Sequence, residues 1–83
     1  MRWTPIDDRM VGQLIQVIGD RTTRFAVVED VGTEPDDEIT VVLCATGARE
    51  WIPPEHIVPT GREAHPDDFT FAALAAIARR NQD

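Results

Sequence analysis

Arg49-Glu-Trp-Ile-Pro-Pro-Glu-His-Ile-Val-Pro-Thr60 reads as a short strand, a tight turn and a second short strand. Pro53 lacks an amide hydrogen and has a fixed φ, so it ends the strand that carries Trp51 and Ile52. A single turn then suits Pro54-Glu-His56, and Ile57-Val58 runs on as extended chain until Pro59. This ending is common to many small five-stranded barrels, and the rest of the chain reads outward from it.

Upstream, Val11 to Ile18 predicts the first strand, with Ile15 and Val17 facing one way and Leu14 and Ile18 the other. Gly19-Asp20 opens a turn that runs to Thr23. Arg24 to Val31 predicts the second strand, with Phe25-Ala-Val-Val28 as its buried part. Gly32 to Asp37 is a loop, because glycine, proline and acids favour turns over burial. Ile39 to Ala45 is rich in β-branched residues and predicts a third strand that is apolar on both faces. Ile39, Val41 and Leu43 share one face, Val42 and Cys44 the other. Thr46-Gly47-Ala48 suits a hairpin turn, and Glu50 to Ile52 forms the fourth strand. Downstream, residues 61–65 read as a linker. Pro66 suits a first helical position, Asp67 and Asp68 the positive end of the helix dipole, and Arg79 and Arg80 its negative end. The expected organisation is an N-terminal extension over 1–10, a β-barrel over 11–60, the linker, and a helix over 66–80.

Five short strands with a turn between the fourth and fifth resemble the SH3-like barrel. In eukaryotic SH3 domains the end of the barrel commonly reads aromatic-x-Pro-x-Asn-Tyr-Val, and Trp51-Ile-Pro-Pro-Glu-His-Ile57 lines up with it. Pro53 falls at the motif's proline, His56 at its tyrosine and Ile57 at its valine. The opening Gly12-Gln-Leu-Ile-Gln-Val17 is more similar to bacterial barrels of the Tudor and KOW sort. The resemblance implies a mainly β fold, a small five-stranded SH3-like barrel with a C-terminal α-helix. It leaves function open, because one fold serves many functions.

The chain of 83 residues predicts a single domain with a small core. Fifteen acids against eight bases, all of them arginine, give a net charge of −7. That balance opposes unaided binding to nucleic acid, since phosphate contacts need clustered cations. Arg21, Arg24, Arg49 and Arg62 would have to converge to make such a surface. The lack of lysine and the abundance of Ala, Val, Asp and Pro suggest a GC-rich bacterial genome or its phage. No apolar run resembles a signal peptide or a membrane span, and Cys44 is the only cysteine, so a cytoplasmic protein is expected.

Contact with a ligand or partner is expected at Trp51, Pro53, Pro54 and His56, with Asp36, Asp37 and Glu38 adding electrostatic selection. Trp51 can stack on a partner or close one end of the barrel. The acids from Glu29 to Glu38 lack the Asp-x-Asp-x-Asp-Gly spacing of a calcium loop and read as a solvated surface. Cys44, His56 and His65 fit no zinc spacing, and Cys44 in an apolar strand reads as a small hydrophobe. No nucleophile–base set or phosphate loop is present in the sequence, so no catalytic residue, metal or cofactor is expected and the protein is read as a non-enzyme.

Phe71-Ala-Ala-Leu-Ala-Ala-Ile-Ala78 has no polar residue over two turns. Phe71, Leu74, Ala75, Ile77 and Ala78 cover an arc of about 160°, with Ala72, Ala73 and Ala76 opposite. The large face is expected to dock on the barrel, with the alanines turned out. Self-association into a homodimer through this helix, with Phe71, Leu74, Ala75 and Ala78 as its residues, is compatible with either arrangement. The functional expectation is a non-catalytic protein-interaction or structural module with another protein as partner. The alternatives are a nucleic-acid-associated Tudor/KOW-like accessory barrel and an acidic decoy of a DNA-binding protein.

Overall fold

The computed structural model describes residues 8–19, 22–32 and 37–81. Expectations for Trp3, Ile6, Arg21 and Asp36 lie outside the described residues. The fold is mainly β: five antiparallel strands in one sheet, and a single C-terminal helix. The strands are β1 (Gln13–Ile18), β2 (Thr23–Asp30), β3 (Ile39–Leu43), β4 (Arg49–Ile52) and β5 (Ile57–Glu63), and the helix α1 is Phe71–Asn81. A 3-10 turn, Pro54–His56, joins β4 to β5 where the paired prolines predict it. The order across the sheet is β4-β3-β2-β1-β5. The first strand therefore sits between the second and the last, as its alternation on both faces allows.

One face of the curled sheet builds the core. Ile15, Val17, Ala26, Val28, Ile39, Val41, Leu43, Ile52 and Ile57 form one buried cluster, with Met10 and Val31 packed against it. No ladder joins β4 to β5 among the described residues. Ile52 and Ile57 instead enclose the 3-10 turn and sink into the shared core, and Pro54 between them is buried.

Four features differ from the sequence expectation. The second strand's apolar run does not bury as a block: Ala26 and Val28 enter the core, while Phe25 is 49% exposed on the opposite face. Strand periodicity requires this, since neighbours in a strand point to opposite sides. β3 stops at Leu43 because Leu43 and the residues after it close a tight turn. The Gly47 amide donates to the Leu43 carbonyl at 2.8 Å, and the Leu43 amide to that of Ala48 at 2.9 Å. The fifth strand continues through Pro59 to Glu63. An edge strand tolerates a missing donor, and the irregularity opposite Gln13 and Ile15 absorbs Thr60 and Gly61. The Thr60 hydroxyl donates to the Leu14 carbonyl at 2.6 Å across this irregularity. The residues expected as one helix from Pro66 divide into a 3-10 turn, Pro66–Asp68, and α1.

The helix docks by a different face from the one its large residues suggest. Ala73 is fully buried, with Ala76, Ile77 and Arg80 half-buried, whereas Phe71, Leu74, Ala75 and Ala78 face outward. Thr70 sets this rotation. Its amide donates to the Cys44 carbonyl at 3.0 Å and its hydroxyl to the Ala45 carbonyl at 2.7 Å. The same hydroxyl accepts the Ala73 amide at 3.1 Å, capping the helix. Gly47, at φ +75°, leaves room for the Ala73 backbone: a Cβ there would lie 2.6 Å from the Ala73 carbonyl oxygen. Small residues on both sides allow a closer approach than Phe71 or Leu74 would.

Candidate binding groove

Two surfaces merit comparison. The first follows from the sequence. Trp51 lies on the edge strand β4 and is 64% exposed, so it is a surface residue and closes no part of the barrel. His56, Asp37 and Glu38 are also exposed, Pro53 is half-buried, and Pro54 is buried. Pro54 thus shapes the turn beneath Trp51 and offers little area to a partner.

The second surface emerges only from the fold. A cavity of about 510 Å³ opens on the outer face of the sheet, lined by Leu14, Phe25, Leu43 and Cys44 below and by Arg24, Arg62, Asp68 and Thr70 at the sides. The elements that build it are distant in sequence. Antiparallel pairing places Leu14 opposite Val27 and Gln16 opposite Phe25, and the Cys44 amide donates to the Phe25 carbonyl at 3.0 Å. The end of β5 brings Arg62, and the 3-10 turn after it brings Asp68. A volume of this size falls in the range of roughly 300–1,000 Å³ typical of ligand sites.

The charged residues that line the cavity are all ion-paired. Arg62 grips Asp68 with both terminal nitrogens, Nη2 to Oδ1 at 2.7 Å and Nη1 to Oδ2 at 3.1 Å. Asp68 also accepts the His65 amide at 2.8 Å. The Arg62 bonds first, and the His65 amide second, hold the Asp68 carboxyl below its usual range. Arg24 meets Glu50, which lies outside the lining, through two bonds of 3.2 Å. Beneath them Cys44 is buried, and burial pushes its thiol up, with Asp68 adding to the rise. A neutral, shielded thiol behaves as part of an apolar floor and is a poor nucleophile.

Among the described residues, Arg24, Arg49 and Arg62 are each matched by a carboxylate. Arg24 pairs with Glu50, Arg49 with Glu29 at 2.9 Å, and Arg62 with Asp68. Among the described residues, no three His, Cys, Asp or Glu side chains are grouped so as to hold a metal ion. No described helix is long and apolar enough to cross a membrane. Sequence reading missed Leu14, Phe25, Arg62 and Asp68 as site residues. The alternation of β2 carried a signal for Phe25, whereas the Arg62–Asp68 pairing depends on a turn that composition does not encode.

The strand order and the turn between the last two strands are those of a small five-stranded barrel carrying a helix. No protein-family model, curated protein or solved structure matches the chain at a significant level.

Proposed function

We propose that this protein is a non-catalytic protein-interaction module that seats an apolar side chain of its partner in the groove over Leu14, Phe25 and Cys44. The observation that carries this reading is the cavity of about 510 Å³ with an apolar floor and ion-paired walls. Apolar floors with a few placed polar groups suit an anchor residue, and fixed walls lower the entropy cost of binding. The raised thiol of Cys44 supports binding over nucleophilic chemistry. The ion-paired arginines favour a protein partner over a nucleic acid, because their charge is already matched.

A second surface for the same function is favoured by the exposure of Trp51. Affinity capture from the native host's lysate, with wild type, Phe25→Ala and Trp51→Ala as baits, separates the two. Phe25→Ala should weaken capture at least about tenfold, near 1.4 kcal/mol, while Trp51→Ala retains it and both variants melt like wild type. The opposite pattern assigns the contact to Trp51. Equal capture by all three baits, or none by wild type, overturns the proposal. Retention on DNA that falls steeply with salt would point to the nucleic-acid alternative.

A further inference from the structure

From Phe71 to Ala78, α1 is apolar around its whole circumference, yet only half of it is covered. At 100° per residue, Ala73, Ala76, Ile77 and Arg80 make up the covered side. Phe71, Leu74, Ala75 and Ala78 lie on the opposite side, with Phe71 92% and Leu74 37% exposed. A helix apolar on every side is ordinarily a buried helix, and an exposed apolar patch of this kind marks an interface.

The stripe is also self-complementary. Its bulk, Phe71 and Leu74, lies in the N-terminal half, and its two alanines lie in the C-terminal half. A parallel neighbour would set Phe71 against Phe71 and leave a void between alanines. An antiparallel copy sets Phe71 against Ala78 and Leu74 against Ala75, so that each large side chain meets space. Charge selects the same arrangement. Asp67 and Asp68 precede the helix, Arg79 and Arg80 close it, and no acid lies within it. Two antiparallel helices bring the exposed Asp67 of each towards the exposed Arg79 of the other, Asp68 being held by Arg62 and Arg80 lying on the covered side, and their dipoles oppose. The net charge of −7 on each copy resists approach elsewhere, which favours contact through this acid-free stripe.

We infer that α1 pairs antiparallel with α1 of a second copy of this chain, about a two-fold axis near Leu74 and Ala75. This does not rest on the groove. The test is light scattering and sedimentation of the full chain over a concentration series. Wild type should move from the 9.3 kDa chain mass to twice that value. Phe71→Glu should raise the dissociation constant at least about tenfold while melting like wild type when dilute, since Phe71 is almost fully exposed. Ala78→Glu, at the other end of the stripe, should do the same. Arg79→Asp should weaken the dimer and the double variant Asp67→Arg with Arg79→Asp should restore it. Wild type that stays monomeric to about 1 mM, near −4 kcal/mol, overturns the inference. So does a dimer that survives both glutamate variants, or one that the charge exchange fails to restore.

Discussion

Gly47 shows how one residue without a side chain determines where a helix lies. Its φ of +75° is a conformation L-residues rarely adopt, and its missing Cβ is the space that the Ala73 backbone occupies. Gly47→Ala should therefore cost about 2–3 kcal/mol, combining backbone strain with the collision. Gly12 has φ +89° and open space around it, so Gly12→Ala meets strain alone. Comparing the two variants by denaturant melts should place Gly47→Ala as the more damaging by about 1 kcal/mol or more. Thr46-Gly47-Ala48 was legible as a turn from its composition. That the glycine also receives a helix was not, because the contact joins residues far apart in the chain. Trp51 illustrates the same boundary: a tryptophan on a short strand signals either core or contact, and only the register opposite Thr40 turns it outward.

Among elements, the informative comparison is between the strands and the segment after β5. Alternation, β-branching and paired prolines made all five strands readable, and the errors lay at their ends and in the burial of Phe25. The sequence rule that proline stops a strand failed at Pro59 because β5 is at the sheet's edge, a property of topology rather than composition. The rule that large apolar residues face the core failed in α1, where the Thr70 tether and the small pair Gly47–Ala73 set the rotation. The 3-10 turn of Pro66–Asp68 is bound to β5 by the Arg62–Asp68 fork. Because the Asp68 carboxyl is held below its usual range, its contribution is present above the unfolded-state value near 3.9 and fades as pH falls through the lower folded value. Asp68→Asn should thus melt earlier than wild type at pH 7, and the gap should narrow as pH drops below about 4. A gap that stays constant between pH 7 and pH 3 would show that the amide disturbs packing rather than charge.

For the whole molecule, the scale of the core decides tolerance. A chain of 83 residues carries total stability of about 4–12 kcal/mol at the usual value per residue. Ile15 is fully buried at the centre of the cluster, so Ile15→Ala should cost about 3 kcal/mol. A thermal melt should show Tm lowered by more than about 10 °C. The apolar class, the mainly β fold and the excess of acids were all legible before any coordinates. The groove was not, since its walls come from β1, β2, β5 and two turns that meet only when the sheet curls. The same topology has a consequence for synthesis. β1 waits between β2 and β5, so a chain emerging from a ribosome can zip its middle hairpins early but leaves one flank of its first strand bare. That flank is a sticky backbone edge until Glu63 has cleared the exit tunnel, and a nascent chain stalled before that point is the form most prone to capture by a neighbour.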